Sequence, residues 1–509
     1  MYAILFKSIF LLTVLDLSRA AHKRYEWTLR YATYNPDGVY RRVISIDNSS
    51  DVFKFPGPTI RAQKNDIIEV IVHNELPTEV TSIHWHGIHQ LNTPWMDGVS
   101  YTTQYPILPL HSFNYTFVAS PVGTHWYHSH TGAQYSDGLF GSLIVEDPND
   151  PYKQFPELSL IMNEWYHRYA IDIFDILSIP PTTHHHRFPE FISGLMNGKD
   201  NHELTVIAID GVYVEPYNTQ QLWIYIGQRY DFLVTMNQQS PLGVYWIRAV
   251  TAVNDTNQFH AILHYNNTRN GTPEPPTSPL PRNLTGLVNS MPLVPSKVNT
   301  DFSLQPPTFN ETLIVHIICV PSVHRCTVNS HSYKMPREPT LFTLYKHGIQ
   351  QPPPLSVFNL RQNAHVMIVV TNFQNFGHPF HLHGHSFYVL GMGKQNQSGT
   401  GEPYIFDPVR DRHTLNFINP PYRDTEQVPE LSYIVIGFIA NNPGSWLFHC
   451  HFAWHAEAGM VAVFNVVGGR IPPPPPNYSL LINYRDQINL SGKVQSTLTV
   501  FFLIISIYI

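Results

Sequence analysis

Four His-x-His pairs stand far apart in this 509-residue chain: His84-Trp85-His86, His128-Ser129-His130, His381-Leu382-His383 and His449-Cys450-His451. Side chains alternate on an extended strand, so each pair would turn both imidazoles to one face. Neutral imidazole is a common metal ligand, and eight of them are too many for one ion. They suit a cluster of several metals with open positions for a small molecule. Two pairs lie near the start of the sequence and two near its end, so the fold must bring the ends together. One such pair is commonplace in a chain with 29 histidines; four of them constrain the whole architecture.

The last pair carries more. Cys450, His455, Met460 and, further back, His378 make a thiolate, two imidazoles and a thioether, the ligand set of a blue-copper electron-transfer site. If residues 449–451 are extended, Cys450 faces one way while His449 and His451 face the other. One short segment then joins two metal sites. His89, His125 and His385 are expected to hydrogen-bond around the ligands, and His184-His185-His186, after Pro180-Pro181, reads as an exposed loop.

The four motifs in this order resemble the copper signatures of the multicopper oxidases, specifically the three-domain laccase type, over nearly the whole mature chain. The resemblance implies four coppers: one type 1, one type 2 and two type 3. It makes His378, Cys450 and His455 the type 1 ligands with Met460 axial, and gives His84 and His381 to type 2. His86, His128 and His451 would hold one type 3 copper, and His130, His383 and His449 the other. It further implies one-electron oxidation of a small aromatic donor at type 1, electron passage through Cys450 to His449 and His451, and reduction of O2 to water. Asp97, in Trp95-Met96-Asp97-Gly98, matches a family acid that relays protons, although an Asp before Gly is also a common turn. The acid that many relatives carry two residues after His451 is Ala453 here.

Met460, where high-potential relatives carry Leu or Phe, implies a lower potential and easily oxidised diphenols, aminophenols or catecholamines. A ferroxidase acting on Fe(II) is the alternative within the enzyme class. One such relative has Asp four residues before the type 1 His, where this chain has Gln374, and Glu164 fits both kinds. A copper-binding protein with little turnover is the alternative outside it.

Composition agrees with an all-β fold of three cupredoxin-like β-sandwich domains. Charged residues are 13% and prolines number 43, which suits a turn-rich β protein. The net charge of −6 leaves no basic footprint for nucleic acid. The first domain is expected over residues 24–148, with a strand in Asp66–Val72. The second spans 149–270, with strands at Leu204–Ile209 and Leu222–Ile226. A Pro-rich linker follows at 271–297, then a third domain at 298–467 and a Pro-rich tail at 468–496. The second domain is expected to be truncated after residue 199: Lys199-Asp200 runs directly into Asn201-His202-Glu203, about forty residues short of the family pattern, which predicts missing strands and exposed sheet edges.

Residues 1–20 read as a secretory signal, with an apolar stretch from Ile9 to Leu15 and Ser18-Arg19-Ala20 as cleavage site. Ten Asn-x-Ser/Thr sequons, Asn48, Asn114, Asn254, Asn266, Asn270, Asn283, Asn310, Asn396, Asn477 and Asn489, suit a glycosylated surface. Cys319 and Cys326 are close enough to pair in an oxidising compartment, or stay as two free thiols. The apolar run 497–509 is short for a membrane span and reads as a GPI-anchor signal or an anchor. A location outside the cell, secreted or on the outer face of the plasma membrane, follows from these features.

Overall fold

Along Ile67–Asn74 the side chains of Ile68, Val70 and Val72 are fully buried, while those between them are half-buried or exposed. That two-residue period is what one face on a core and one toward water demands. In this computed structural model the described residues are 20–35, 38–47, 55–132, 134–163, 169, 194–198, 202–237, 244–251, 258–264, 291–296, 309–320, 325–350, 356–395, 404–476, 478 and 506–508.

Apart from a two-stranded pairing of 161–163 with 506–508, the described strands form three successive pairs of sheets. In the first pair, one sheet has the order 41–47, 22–34, 67–74, 112–118 and the other 57–63, 140–146, 123–129, 83–86. Trp27, Ile68, Val70, Trp85, Tyr115 and Tyr127 from both sheets fill the space between them. Each sheet contains one parallel pair, 22–34 with 67–74 and 57–63 with 140–146, so the chain crosses between layers rather than running as simple hairpins. The second pair has a four-stranded sheet, 221–224, 194–198, 244–251, 258–264, and a three-stranded one, 212–219, 204–209, 230–234. All of its pairings are antiparallel.

The third pair is larger. Its six-stranded sheet has the order 325–328, 311–320, 365–372, 432–439, 387–394, 422–423, and its five-stranded sheet 357–361, 461–467, 444–450, 378–382, 425–428. One apolar core runs from Leu204, Val206 and Ile224 through Val366, Ile434, Phe448 and Phe464, and includes Cys450 and Met460. Among the described residues α-helix runs over Thr340–His347 and Ala453–Glu457, Tyr478 is also helical, and no helix is long and apolar enough to cross a membrane.

The strands expected at Asp66–Val72, Leu204–Ile209 and Leu222–Ile226 are found at Ile67–Asn74, Leu204–Ile209 and Gln221–Ile224. Cys319 and Cys326 lie opposite each other in the 311–320/325–328 hairpin and are joined as a disulfide, leaving Cys450 as a free, buried thiol. Residues 1–19, Glu164, His184 to His186, the Lys199-Asp200 junction and most of the 271–297 and 479–509 segments lie outside the described residues.

Candidate metal centre

Strand pairing places the histidines. In the first sandwich Ile83–His86 runs antiparallel to Gly123–Ser129, with His84 opposite His128. In the third, His378–Leu382 runs antiparallel to Gly444–Cys450, with His381 opposite His449 and Phe380 opposite Cys450. The ladders continue past the strand ends: His130 N–H donates to Ser82 O (3.1 Å), His383 N–H to Leu447 O (2.9 Å) and His451 N–H to Pro379 O (2.6 Å). Both members of each His-x-His pair are thereby fixed by backbone hydrogen bonds before any metal arrives.

The two sheets face each other, and the eight rings form one nest. His86 stacks on His381 at 3.8 Å between centroids, and His84 lies 4.0 Å from His383. His130 is 5.2 Å from His383 and 5.3 Å from His449, while His451 is 4.9 Å from His86 and 5.3 Å from His128. Three sets of ring nitrogens each fall within 4.8 Å of one another: His130, His383 and His449; His84, His86 and His128; His84, His381 and His383.

Outer nitrogens are tied to the protein, while inner ones face one another or stand unpartnered: His383 Nε2 lies 3.1 Å from His449 Nε2 and His451 Nε2 lies 3.1 Å from His86 Nδ1. His84 Nδ1–H donates to Asp97 O (2.8 Å), His381 Nδ1–H to Asp424 O (2.9 Å), His383 Nδ1–H to Asp97 Oδ2 (3.0 Å) and His86 Nε2–H to Asp424 Oδ1 (3.2 Å). His128 and His449 donate from Nδ1 to the carbonyls of Ser129 and Cys450. Such bonds set the tautomer and aim the opposite nitrogen. The Nε2 atoms of His84, His128 and His381 are buried without a hydrogen-bond partner, which is costly unless an ion takes them. Burial and the neighbouring imidazoles push His86, His128, His383 and His451 well below the usual histidine range, and burial takes His449 down to about 3. Those five rings are therefore neutral, the form that binds metals.

On the far side of the same strand, Cys450 Sγ lies 3.6 Å from both His378 Nδ1 and His455 Nδ1, which are 3.1 Å apart. Met460 is fully buried, its N–H donating to His455 O (2.8 Å) and its carbonyl accepting from Cys450 N–H (3.2 Å). Burial pushes the Cys450 thiol up, so only a bound cation makes it a thiolate here.

Models of multicopper oxidase domains match residues 28–150, 199–268 and 325–469. The iron transport multicopper oxidase FET3 of Saccharomyces cerevisiae is 32% identical, over 90% of this chain and 77% of its own length. The chain belongs to the multicopper oxidase family. Laccase-2 of Botryotinia fuckeliana is 31% identical over 87% of this chain and 81% of that protein. The crystal structure of Fet3p, a multicopper oxidase that functions in iron import, superposes with a TM-score of 0.80 at 27% identity, covering 91% of this chain and 95% of that one. The three sheet pairs are thus cupredoxin-like sandwiches, and membership makes the chain a copper-dependent oxidoreductase with one type 1, one type 2 and two type 3 coppers. The donor set fits them: soft sulfur with two imidazoles on one side, and a nest of buried imidazoles that includes unpartnered nitrogens on the other.

Charged residues that the sequence did not single out hold this multicopper oxidase's nest together. Asp424, 2% exposed, touches His86 and His381 and is gripped by Arg229, whose Nη1 donates to Oδ1 (2.7 Å) and whose Nη2 donates to Oδ2. Arg229 belongs to the second sandwich, as does Asp210, which accepts from Arg423 Nε (2.9 Å). Gly227 sits so close that a Cβ there would lie 2.9 Å from His451 and 3.1 Å from His86. The second sandwich, which carries none of the expected ligands, therefore caps the nest. The only sequence signal was the charged run Arg423-Asp424-Thr425-Glu426 in a chain poor in charge. Asp424 is thus a second buried carboxylate at the nest, beside His86 and His381 as Asp97 is beside His84 and His383. Of the outer histidines, His89 donates to or accepts from Ser386 Oγ, His125 bonds Pro121 O, and His385 bonds the carbonyl of His383.

Asp97 is fully buried against His84 and His383, so it touches residues from both sandwiches. It can do so because Gly98, at φ +80°, lets the chain press on Ile83 O, with which a Cβ would collide. Gly98→Ala is expected to cost at least about 1–3 kcal/mol, read as a lowered melting temperature of the copper-loaded protein. An unchanged melt would contradict this packing.

Proposed function

We propose that this multicopper oxidase is of the laccase type, coupling one-electron oxidation of four diphenol or related aromatic donors to reduction of one O2, with four protons, to two waters. The ligand roles are those the sequence resemblance implies: His378, Cys450, His455 and Met460 for type 1; His84 and His381 for type 2; His86, His128, His451 and His130, His383, His449 for the type 3 pair. Copper so held would change oxidation state by one electron at type 1 and bind oxygen at the other three.

The observation that carries the substrate class is the outer edge of the type 1 ligands. His378 Nε2–H donates to an amide, Gln374 Oε1 (3.2 Å). Phe376, 37% exposed, has its ring 5.0 Å from His378 and 5.6 Å from His455. An aromatic donor finds an apolar ring to pack on beside both imidazoles. Fe(II) would want carboxylate oxygens there, and the residue bonded to His378 has none to give. Electrons then have a short covalent path, since Cys450 is flanked by His449 and His451 on the opposite face of the strand. Asp97 and Asp424 are placed to hold and pass protons at the nest through the outer nitrogens of His383 and His86. The disulfide and the sequons support an oxidising location outside the cytoplasm.

Oxygen uptake by the copper-loaded enzyme, measured with a diphenol and with Fe(II) in parallel, is the test. Faster uptake on the diphenol is expected. Comparable or faster uptake on Fe(II) would make it a ferroxidase, and a blue protein with no uptake on either would make it a copper-binding protein without turnover.

A further inference from the structure

The Cys319–Cys326 disulfide lies between the two segments that carry the type 1 donors. Cys319 is clamped at both backbone polar atoms by Gln374, whose Oε1 accepts from Cys319 N–H (2.6 Å) and whose Nε2 donates to Cys319 O (2.8 Å). The same Oε1 accepts from His378 Nε2–H (3.2 Å). The other half-cystine holds the opposite side: Cys326 N–H donates to Ala458 O (2.8 Å), an oxygen that also accepts from Ser332 Oγ (2.8 Å). Tyr333 N–H donates to Gly459 O (3.1 Å). Gly459, at φ +107°, lies so near that a Cβ would be 2.9 Å from Cys326 O. Ala458 and Gly459 stand between His455 and Met460, so one cross-linked hairpin touches the backbone beside both and the ring of His378.

We propose that the Cys319–Cys326 hairpin is a clamp for the type 1 copper, in which Gln374 and the Ala458 carbonyl act as positioning groups that fix ligand geometry and tune the copper's potential. This rests on His378, Cys450, His455 and Met460 being the type 1 ligands. A carbonyl acceptor on the outer nitrogen of a metal-bound imidazole makes that imidazole a stronger donor and favours the higher oxidation state. Removing it raises the reduction potential; replacing it by a carboxylate lowers it. The disulfide acts one step further out, since without it only a short ladder, four residue pairs from Ile317 to Val320, ties the two strands together and Gln374 has a looser support.

The test uses the copper-loaded full chain and three variants: Gln374→Ala, Gln374→Glu and the Cys319→Ala/Cys326→Ala pair. Copper per chain and the type 2 signal in electron paramagnetic resonance serve as controls. Expected are a higher type 1 potential in Gln374→Ala, a lower one in Gln374→Glu, and an altered blue band and type 1 hyperfine splitting in the cysteine pair, all with the type 2 signal unchanged. Wild-type potentials and spectra in the Gln374 variants would overturn the clamp. A folded cysteine variant with the wild-type blue band would remove the disulfide from it, and should that variant not fold, the opposite shifts of the two Gln374 variants decide. No blue band in the copper-loaded wild type would instead overturn the ligand assignment.

Discussion

Cys450→Ser is expected to remove the blue band and bring donor-driven oxygen uptake to background. The hydroxyl is nearly the same size and the pocket is closed, so the fold should bear the change at a cost of about 1–3 kcal/mol for one buried, unpartnered hydroxyl. What is lost is the soft anionic sulfur, 3.6 Å from His378 Nδ1 and from His455 Nδ1, that selects copper there. The effect should exceed the roughly 10–100-fold that follows loss of a supporting hydrogen bond. The other donor set shares no side chain with it, so copper should fall from four to three per chain with the type 2 signal kept. Uptake within about tenfold of wild type, equal to some 1.4 kcal/mol of barrier, would contradict the role of Cys450.

Arg229→Ala should destabilise the protein more than any change outside the ligands. It leaves the Asp424 carboxylate buried with its bidentate partner gone, and an uncompensated buried charge costs about 3–5 kcal/mol. The same change frees Asp424, which accepts from His86 Nε2–H, to turn away from that ring, so copper affinity of the nest should drop about 10–100-fold. A double variant, Arg229→Met with Asp424→Leu, separates the two effects, because removing both charges of a buried pair is often near neutral. Stability measured by thermal melting should recover in the double variant, while copper affinity measured by chelator competition should not. Recovery of both would mean that Asp424 only balances Arg229 and does not orient the histidines.

How much of this was legible in the sequence depended on whether the chemistry is local. The His-x-His pairs, and Cys450 with His455 and Met460, are short patterns whose spacing itself aims the side chains, and the structure brings all of them together. The strand at Leu204–Ile209 was readable from its apolar run. Asp424 and Arg229 were not: each acts through partners far away in sequence, such as Arg229 on Asp424 across 195 residues. Gln374 was readable by its place four residues before His378, but its grip on Cys319 across 55 residues was not. Asp97 was readable as an acid near the cluster, but not as one that reaches both His84 and His383. The pairing of Cys319 with Cys326 stayed open because spacing alone does not say that a hairpin places them opposite each other.

The central claim is that one strand, residues 444–450 with His451, joins a thiolate copper site to a three-copper nest built from both ends of the chain. Anomalous diffraction from crystals of the copper-loaded protein, collected across the copper edge, tests it most directly. Four peaks are expected: one between Cys450, His378 and His455, and three among His84, His86, His128, His130, His381, His383, His449 and His451. A single peak within the eight histidines, or none beside Cys450, would contradict it.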